Sequence, residues 1–188
     1  MSASLRFEPV TAAHWADIET LFGQRGACGG CWCQSWRKPK AQFQRDKGAA
    51  NRASLRALVK QGPPPGILAY CDGQPAGWCA MAPRRDYITL AKSRVLRPLD
   101  DAPVWSVSCF FVAKPYRRRG ISVGLLQAAI AFVREQGGRI LEGYPALSAT
   151  AAVSPTFAWT GTLDAFLKAG FQEMPRWSAS RPIVRCLL

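Results

Sequence analysis

The chain has 188 residues, of which 48% are hydrophobic and seven are tryptophan. That is enough apolar surface for a core of ordinary size and predicts one domain over residues 1–188. The net charge of +13 calls for an anionic partner or substrate, yet the basic residues are scattered rather than gathered into a stripe, so nucleic-acid binding is the weaker reading.

Seven cysteines, an odd number in no small secreted scaffold, favour reduced thiols. Residues 1–10 carry no basic-then-apolar leader, and no apolar run reaches the length of a membrane span. The expectation is a soluble, cytoplasmic protein without a membrane partner.

In residues 4–10, Leu5 and Phe7 alternate with Arg6 and Glu8, the pattern of a strand. Thr11 then caps a helix in which Trp15, Ile18 and Phe22 share a face, and Gly23 ends it. His14 lies in the first turn of that helix and, with no carboxylate paired to it, reads as solvated or locally hydrogen bonded rather than catalytic.

Residues 24–38, from Gln24 to Lys38, hold Cys28-x-x-Cys31-x-Cys33 among glycines and paired tryptophans. Structural zinc wants four ligands, usually as two separated pairs, and no second pair exists, so no metal is expected. The stretch reads as a shaped loop, with burial of its tryptophans and cysteines as the plain alternative. Residues 38–61 carry helical spacing, with Phe43, Ala53, Leu55, Leu58 and Val59 facing inward. The run Gly62-Pro-Pro-Pro-Gly66 breaks it.

Residues 67–71 and 75–81 are predicted to form a hairpin around Asp72-Gly73, a favoured two-residue turn. Residues 82–101 read as loop with a short helix at 87–93. The run at 104–112, β-branched and aromatic, suits a central strand covered on both faces. From Arg119 the period turns helical, with Leu125, Ala129, Phe132 and Leu126, Ile130, Val133 on one broad face and Gly137-Gly138 as the stop.

Between strand and helix lies Lys114-Pro-Tyr-Arg-Arg-Arg-Gly-Ile-Ser-Val-Gly124. A helix start offers unpaired amides and partial positive charge, glycine admits an anion close to the backbone, and Arg117, Arg118 and Arg119 add fixed charge. These features predict a phosphate or pyrophosphate cradle. Gly120-Ile-Ser-Val-Gly124 also matches the G-x-S-x-G nucleophile elbow, but seven residues separate it from the strand and no histidine follows. No G-x-G-x-x-G follows a first strand, which removes a dinucleotide fold. An ordinary solvated arginine turn is the plain alternative.

Residues 139–145 form the next strand, and a helix between two strands is a crossover, so this strand should pair in parallel with 104–112. Residues 146–159, rich in small side chains, read as a mobile loop over the site. Residues 160–171 give a helix closed by Gly170, followed by strands at 172–175 and 180–187.

Val112, then Arg117-x-x-Gly120-x-Ser122 and Gly124-Leu-Leu126, together with Lys168-Ala-Gly-Phe171, resembles the GNAT superfamily of N-acyltransferases, with Ser122 where the family pattern has Gly or Ala. The resemblance implies an α+β, α/β-sandwich fold: a mixed, mostly antiparallel sheet whose central parallel pair splays to admit CoA, with helices on both faces. It further implies that acetyl-CoA is the acyl donor and a small-molecule amine the acceptor. Backbone groups of Phe111 and Val112 would then meet the pantetheine, and Arg117, Arg118, Arg119, Gly120, Ile121, Ser122, Val123 and Gly124 the pyrophosphate. Trp32, Cys33 and Trp36 would line the acceptor pocket.

The family's usual tyrosine acid is replaced by Phe166, and a frequent asparagine by Trp159. Strand alternation places Glu142 and Tyr144 on one face, which makes them the candidate base and acid. The plain alternative pairs Glu142 with an arginine and packs Tyr144 in the core. Cys109 reads as core. A non-catalytic CoA-binding module is the chief rival reading, and the chain would be a monomer or homodimer.

Overall fold

The computed structural model describes residues 4–147 and 159–188. Its strands are β1 (Leu5–Pro9), β2 (Gly66–Cys71), β3 (Gln74–Pro83), β4 (Trp105–Val112), β5 (Ile140–Gly143), β6 (Gln172–Glu173) and β7 (Val184–Leu187). They build one sheet in the order β1-β2-β3-β4-β5-β7-β6. Only β4 and β5 pair in parallel; the other neighbours are antiparallel. The hairpin turns where Asp72 and Gly73 both take positive φ, 49° and 77°, as a two-residue turn matched to strand twist requires.

The helices are α1 (Trp15–Phe22), α2 (Lys40–Arg45), α3 (Ala49–Gln61), α4 (Ile88–Ala91), α5 (Ile121–Glu135) and α6 (Leu163–Lys168). Alternate residues of β2 and β3 sort onto opposite faces. Ile67, Ala69, Cys79 and Met81 meet α5 and α6, while Leu68, Tyr70, Trp78 and Ala80 meet α1 and α3. Both faces are thus buried, which explains the continuous apolar runs of the central strands. No helix among the described residues is long and apolar enough to cross a membrane.

The helix expected over 38–61 is two. Gly48 interrupts it at φ 85° because its amide donates to the Gly30 carbonyl at 3.0 Å, docking the cysteine loop onto the break. Ala53 faces solvent, whereas Asn51 is buried, accepting from Lys38 Nζ at 2.9 Å and donating to the Gly30 carbonyl at 3.3 Å.

A bulge in β4 sets up the site. Ala80 pairs with Cys109 but Met81 pairs with Val107, so Ser108 is one extra residue. Val107 and Phe110 consequently both face α5 and α6, while Cys109 and Phe111 face the α1 side. Pairing between β4 and β5 ends at Val107 and Gly143. Beyond it the two strands part, and the Phe110 amide donates instead to the Trp159 carbonyl at 2.6 Å.

Candidate functional site

The chain leaves β4 at Val112 and enters α5 through Arg118 at φ 62° and Gly120 at φ 77°. The Gly120 carbonyl accepts the amides of Val123 at 3.0 Å and Gly124 at 3.1 Å. The first-turn amides of Ile121 and Ser122 have no partner in the helix itself. At the far end of the expected cradle, Val123 and Gly124 spend their amides inside α5. Gly124 serves packing instead, since a Cβ there would come 2.1 Å from the Phe7 ring.

Arg117 Nε donates to the Val112 carbonyl at 3.1 Å, tying the arginine turn to the strand end. An open groove of about 490 Å³ runs from Arg117 and Ser122 past Val112 and Phe111 to Trp159, with Arg25 on its side. Arg118, Arg119 and Gly120 are exposed, and a Cβ on Gly120 would meet nothing within 4 Å. Free amides, open backbone and fixed cations together suit a phosphate-bearing ligand; the residues present fit CoA.

A second cavity of about 180 Å³ opens beside the groove and shares Ala27, Cys28, Phe110, Phe111 and Trp159 with it. Its remaining wall comes from Cys31, Cys33, Ser35, Trp36, Phe43 and Cys109. Trp36 is held by its Nε1, which donates to the Ser108 carbonyl at 3.1 Å, and its ring lies 5.6 Å from that of Trp159. Of the three residues expected to line an acceptor pocket, Cys33 and Trp36 reach this cavity.

Trp32 does not. Its indole is 5% exposed, with ring centroids 6.0 Å from Trp15 and 5.3 Å from Phe22. A Cβ on Gly26 would come 2.2 Å from its Nε1. It is the core anchor of the loop, and the positive φ angles of Ala27 (67°), Trp32 (42°) and Cys33 (55°) show a backbone bent to turn Trp32 inward and Cys33 toward β4.

Cys33 Sγ lies 3.2 Å from Cys109 Sγ and accepts from Trp78 Nε1 at 3.1 Å. Contact with the Cys109 thiol, then burial, pushes the Cys33 thiol well above its ordinary range, and the neighbouring Cys33 does the same to Cys31. Protonated thiols of this kind are inert walls rather than nucleophiles. Among the described residues, no three His, Cys, Asp or Glu side chains stand close enough to hold a metal ion.

Glu142 and Tyr144 do come together, the Tyr144 hydroxyl donating to Glu142 Oε1 at 2.6 Å. Neither lines the groove or the cavity. Glu142, 1% exposed, takes Arg84 on Oε1 and Arg185 on Oε2, each at 2.7 Å. Ser106 Oγ lies 2.8 Å from the Tyr144 hydroxyl, and burial followed by the Glu142 charge pushes that phenol well above its usual range. Both oxygens of the Glu142 carboxylate, expected as the base, are thus occupied by guanidinium groups, and Tyr144, expected as the acid, is bound to it away from the groove and the cavity.

Phe166 is fully buried, packed edge-on against Phe110 at 5.8 Å and Phe171 at 4.9 Å. Residues 148–158, most of the expected loop over the site, lie outside the described part. Sequence reasoning did not place Arg25, Phe43, Phe110 or Cys109 at the site. Cys109 and Phe110 belong to opposite layers of the sheet, yet both reach the cavity. His14 is a local partner, Nε2 lying 3.0 Å from Glu8.

The sequence matches the acetyltransferase (GNAT) family over residues 32–153. No curated protein matches it. Among solved structures, a GNAT-family acetyltransferase from Listeria monocytogenes superposes with a TM-score of 0.59 at 10% identity, over 100% of this chain and 99% of that one. A PaiA N-acetyltransferase from Thermoplasma acidophilum in complex with coenzyme A gives 0.51 at 13% identity, over 98% and 99%. An aminoglycoside N-acetyltransferase in complex with CoA gives 0.56 at 17% identity, over 94% and 93%. At such identities the likeness is one of fold.

Proposed function

Because the chain belongs to the GNAT acetyltransferase family, we propose that it is an N-acetyltransferase carrying an acetyl group from acetyl-CoA to the nitrogen of a small-molecule amine. One observation carries this reading: a groove with free helix amides and arginines meets an apolar cavity at Phe110, Phe111 and Trp159. Two of the similar structures hold coenzyme A, in line with that groove's chemistry.

Acetyl-CoA supplies an acetyl group already activated as a thioester. The amides of Ile121 and Ser122, with Arg117, Arg118, Arg119 and Arg25, bind the phosphates, and the open backbone at Gly120 lets them approach. Phe111 and Val112 wall the path from there to the cavity. Cys33, Trp36 and Trp159 surround the acceptor and keep water from it, so its nitrogen is held near the bond to be broken.

The test is thermal denaturation with acetyl-CoA, then thiol release with a panel of amines. At about a hundred times Kd, acetyl-CoA should raise Tm by roughly 5–10 °C. A flat Tm together with no thiol release overturns the proposal. The non-catalytic module remains the second reading because Phe166 has no acidic group and both Glu142 oxygens are occupied by Arg84 and Arg185; its mark is a raised Tm with no thiol released.

A further inference from the structure

The cavity beside the groove carries no charge. Among the described residues that line it, none is Asp, Glu, Lys, Arg or His; its walls are the rings of Trp36, Phe43, Phe111 and Trp159 with the thiols of Cys33 and Cys109. The cations nearby, Arg25 and Arg117, belong to the adjoining groove. Charge is therefore segregated: fixed positive charge on one side of Phe111, none on the other.

Resting on the acetyl-transfer reading above, we infer that the acceptor is a compact amine whose body is one aromatic ring, or an apolar group of that size, with no second charge. The cavity itself, rather than a basic side chain, presents its nitrogen in the neutral form.

Size supports the first half. An apolar cavity of about 150 Å³ takes up one benzene, and this one measures about 180 Å³. A sugar-ring oligomer does not fit that space. Charge supports it independently, since a second cation would sit without a counter-ion beside Arg25 and Arg117 on a chain of net charge +13. Stacking of a cation on the rings returns less than that loss.

Desolvation supports the second half. An ammonium leaving water for an uncharged pocket loses its proton more readily, because burial penalises the charged form alone. That suits a cavity with no carboxylate among its described lining residues. The neutral nitrogen's lone pair then forms the C–N bond as the C–S bond breaks, and the proton shed by nitrogen ends on the departing sulfur, so the exchange balances without an added base.

The experiment measures thiol release from acetyl-CoA by the full chain with phenethylamine, agmatine, kanamycin and aminoethyl-trimethylammonium. The kcat/KM of phenethylamine should exceed each of the others by about a hundredfold or more. Its logarithm should climb with unit slope from about pH 6 to the amine's own pKa, and the break should move down with the weaker base β,β-difluorophenethylamine. Ser35→Asp, which sets a carboxylate on the half-buried cavity wall, should narrow the deficit of agmatine by about tenfold. Without acetyl-CoA, phenethylamine should quench tryptophan fluorescence at lower concentration than agmatine does.

Preference for a second-charged amine, or a pH break that stays fixed for both phenethylamines, overturns the inference and leaves acetyl transfer standing. If no amine releases thiol, the transfer reading falls. The quench titration then decides alone, and phenethylamine binding no tighter than agmatine overturns the cavity's selectivity.

Discussion

Glu142 and Arg185 meet at 2.7 Å inside the sheet, both nearly inaccessible at 1% and 6%, on neighbouring strands β5 and β7 where their backbones also pair. Arg84 closes the other oxygen of the same carboxylate. Removing the carboxylate leaves the part-buried Arg84 without its carboxylate partner and Arg185 with Asp100 alone. Glu142→Ala should therefore destabilise the chain by about 3–5 kcal/mol in urea denaturation. Its kcat per folded molecule should fall less than about tenfold, whereas loss of a working general base costs about 10²–10⁴ at unchanged stability.

Gly124 and Phe7 make a different kind of contact, steric rather than ionic. A side chain at position 124 must displace the Phe7 ring or lift α5 from β1. Gly124→Val should cost about 1–3 kcal/mol of thermal stability and leave the CoA affinity of the folded protein unchanged, as calorimetric titration below Tm would read. A selective loss of CoA binding would instead return Gly124 to the cradle.

Arg117 lines the groove proposed to hold CoA and is tied to the strand end by its bond to Val112. Arg117→Ala should weaken CoA binding by about tenfold at low salt, with a smaller effect at about 0.5 M salt because exposed charge is screened. An equal loss at both salts would point to a role through Val112 alone.

Acid should unfold the protein by releasing its carboxylates. Hydrogen bonds from Arg52, Lys38 and Arg185 hold Glu19, Asp46 and Asp100 respectively below the ordinary carboxylate range. A group with a lowered folded pKa stabilises fully above its unfolded value and loses that contribution as pH falls through the folded one. Tm should stay level from about pH 7 to about pH 5 and fall below about pH 4, less steeply in high salt. A Tm that rises on acidification would contradict the assignment.

The thiols should divide by burial. Cys28 is exposed, while burial pushes the Cys79 thiol up to about 12 and Cys33 higher than its usual range. Iodoacetamide near neutral pH should modify Cys28 in the native protein at least about a hundredfold faster than Cys33 or Cys79, with the buried pair reacting only in denaturant. Mass spectrometry of the alkylated peptides reads this directly.

Much of this was legible from residues a few positions apart. The alternation of the strands, the Asp72-Gly73 turn and the strand, arginine turn and helix over 104–138 depend on local backbone preference and on which face is apolar. So did the family resemblance, whose motif is one contiguous turn. The helix over 38–61 was misread because Gly48 breaks it only when Gly30 docks there, 18 positions upstream.

What the sequence by itself determined is the segment proposed to hold the cofactor: a helix start, glycine and arginines close together in the chain, where neighbours in sequence are necessarily neighbours in space. Tertiary structure alone decided the cavity proposed for the acceptor. Cys33 meets Cys109 across 76 positions, Glu142 meets Arg84 across 58 and Arg185 across 43, and Trp36 meets Ser108 across 72. Whether a tryptophan fills a core or lines a cavity, and whether a carboxylate is free or neutralised, depends on partners brought by the sheet and by the Ser108 bulge. No spacing within the chain encodes those.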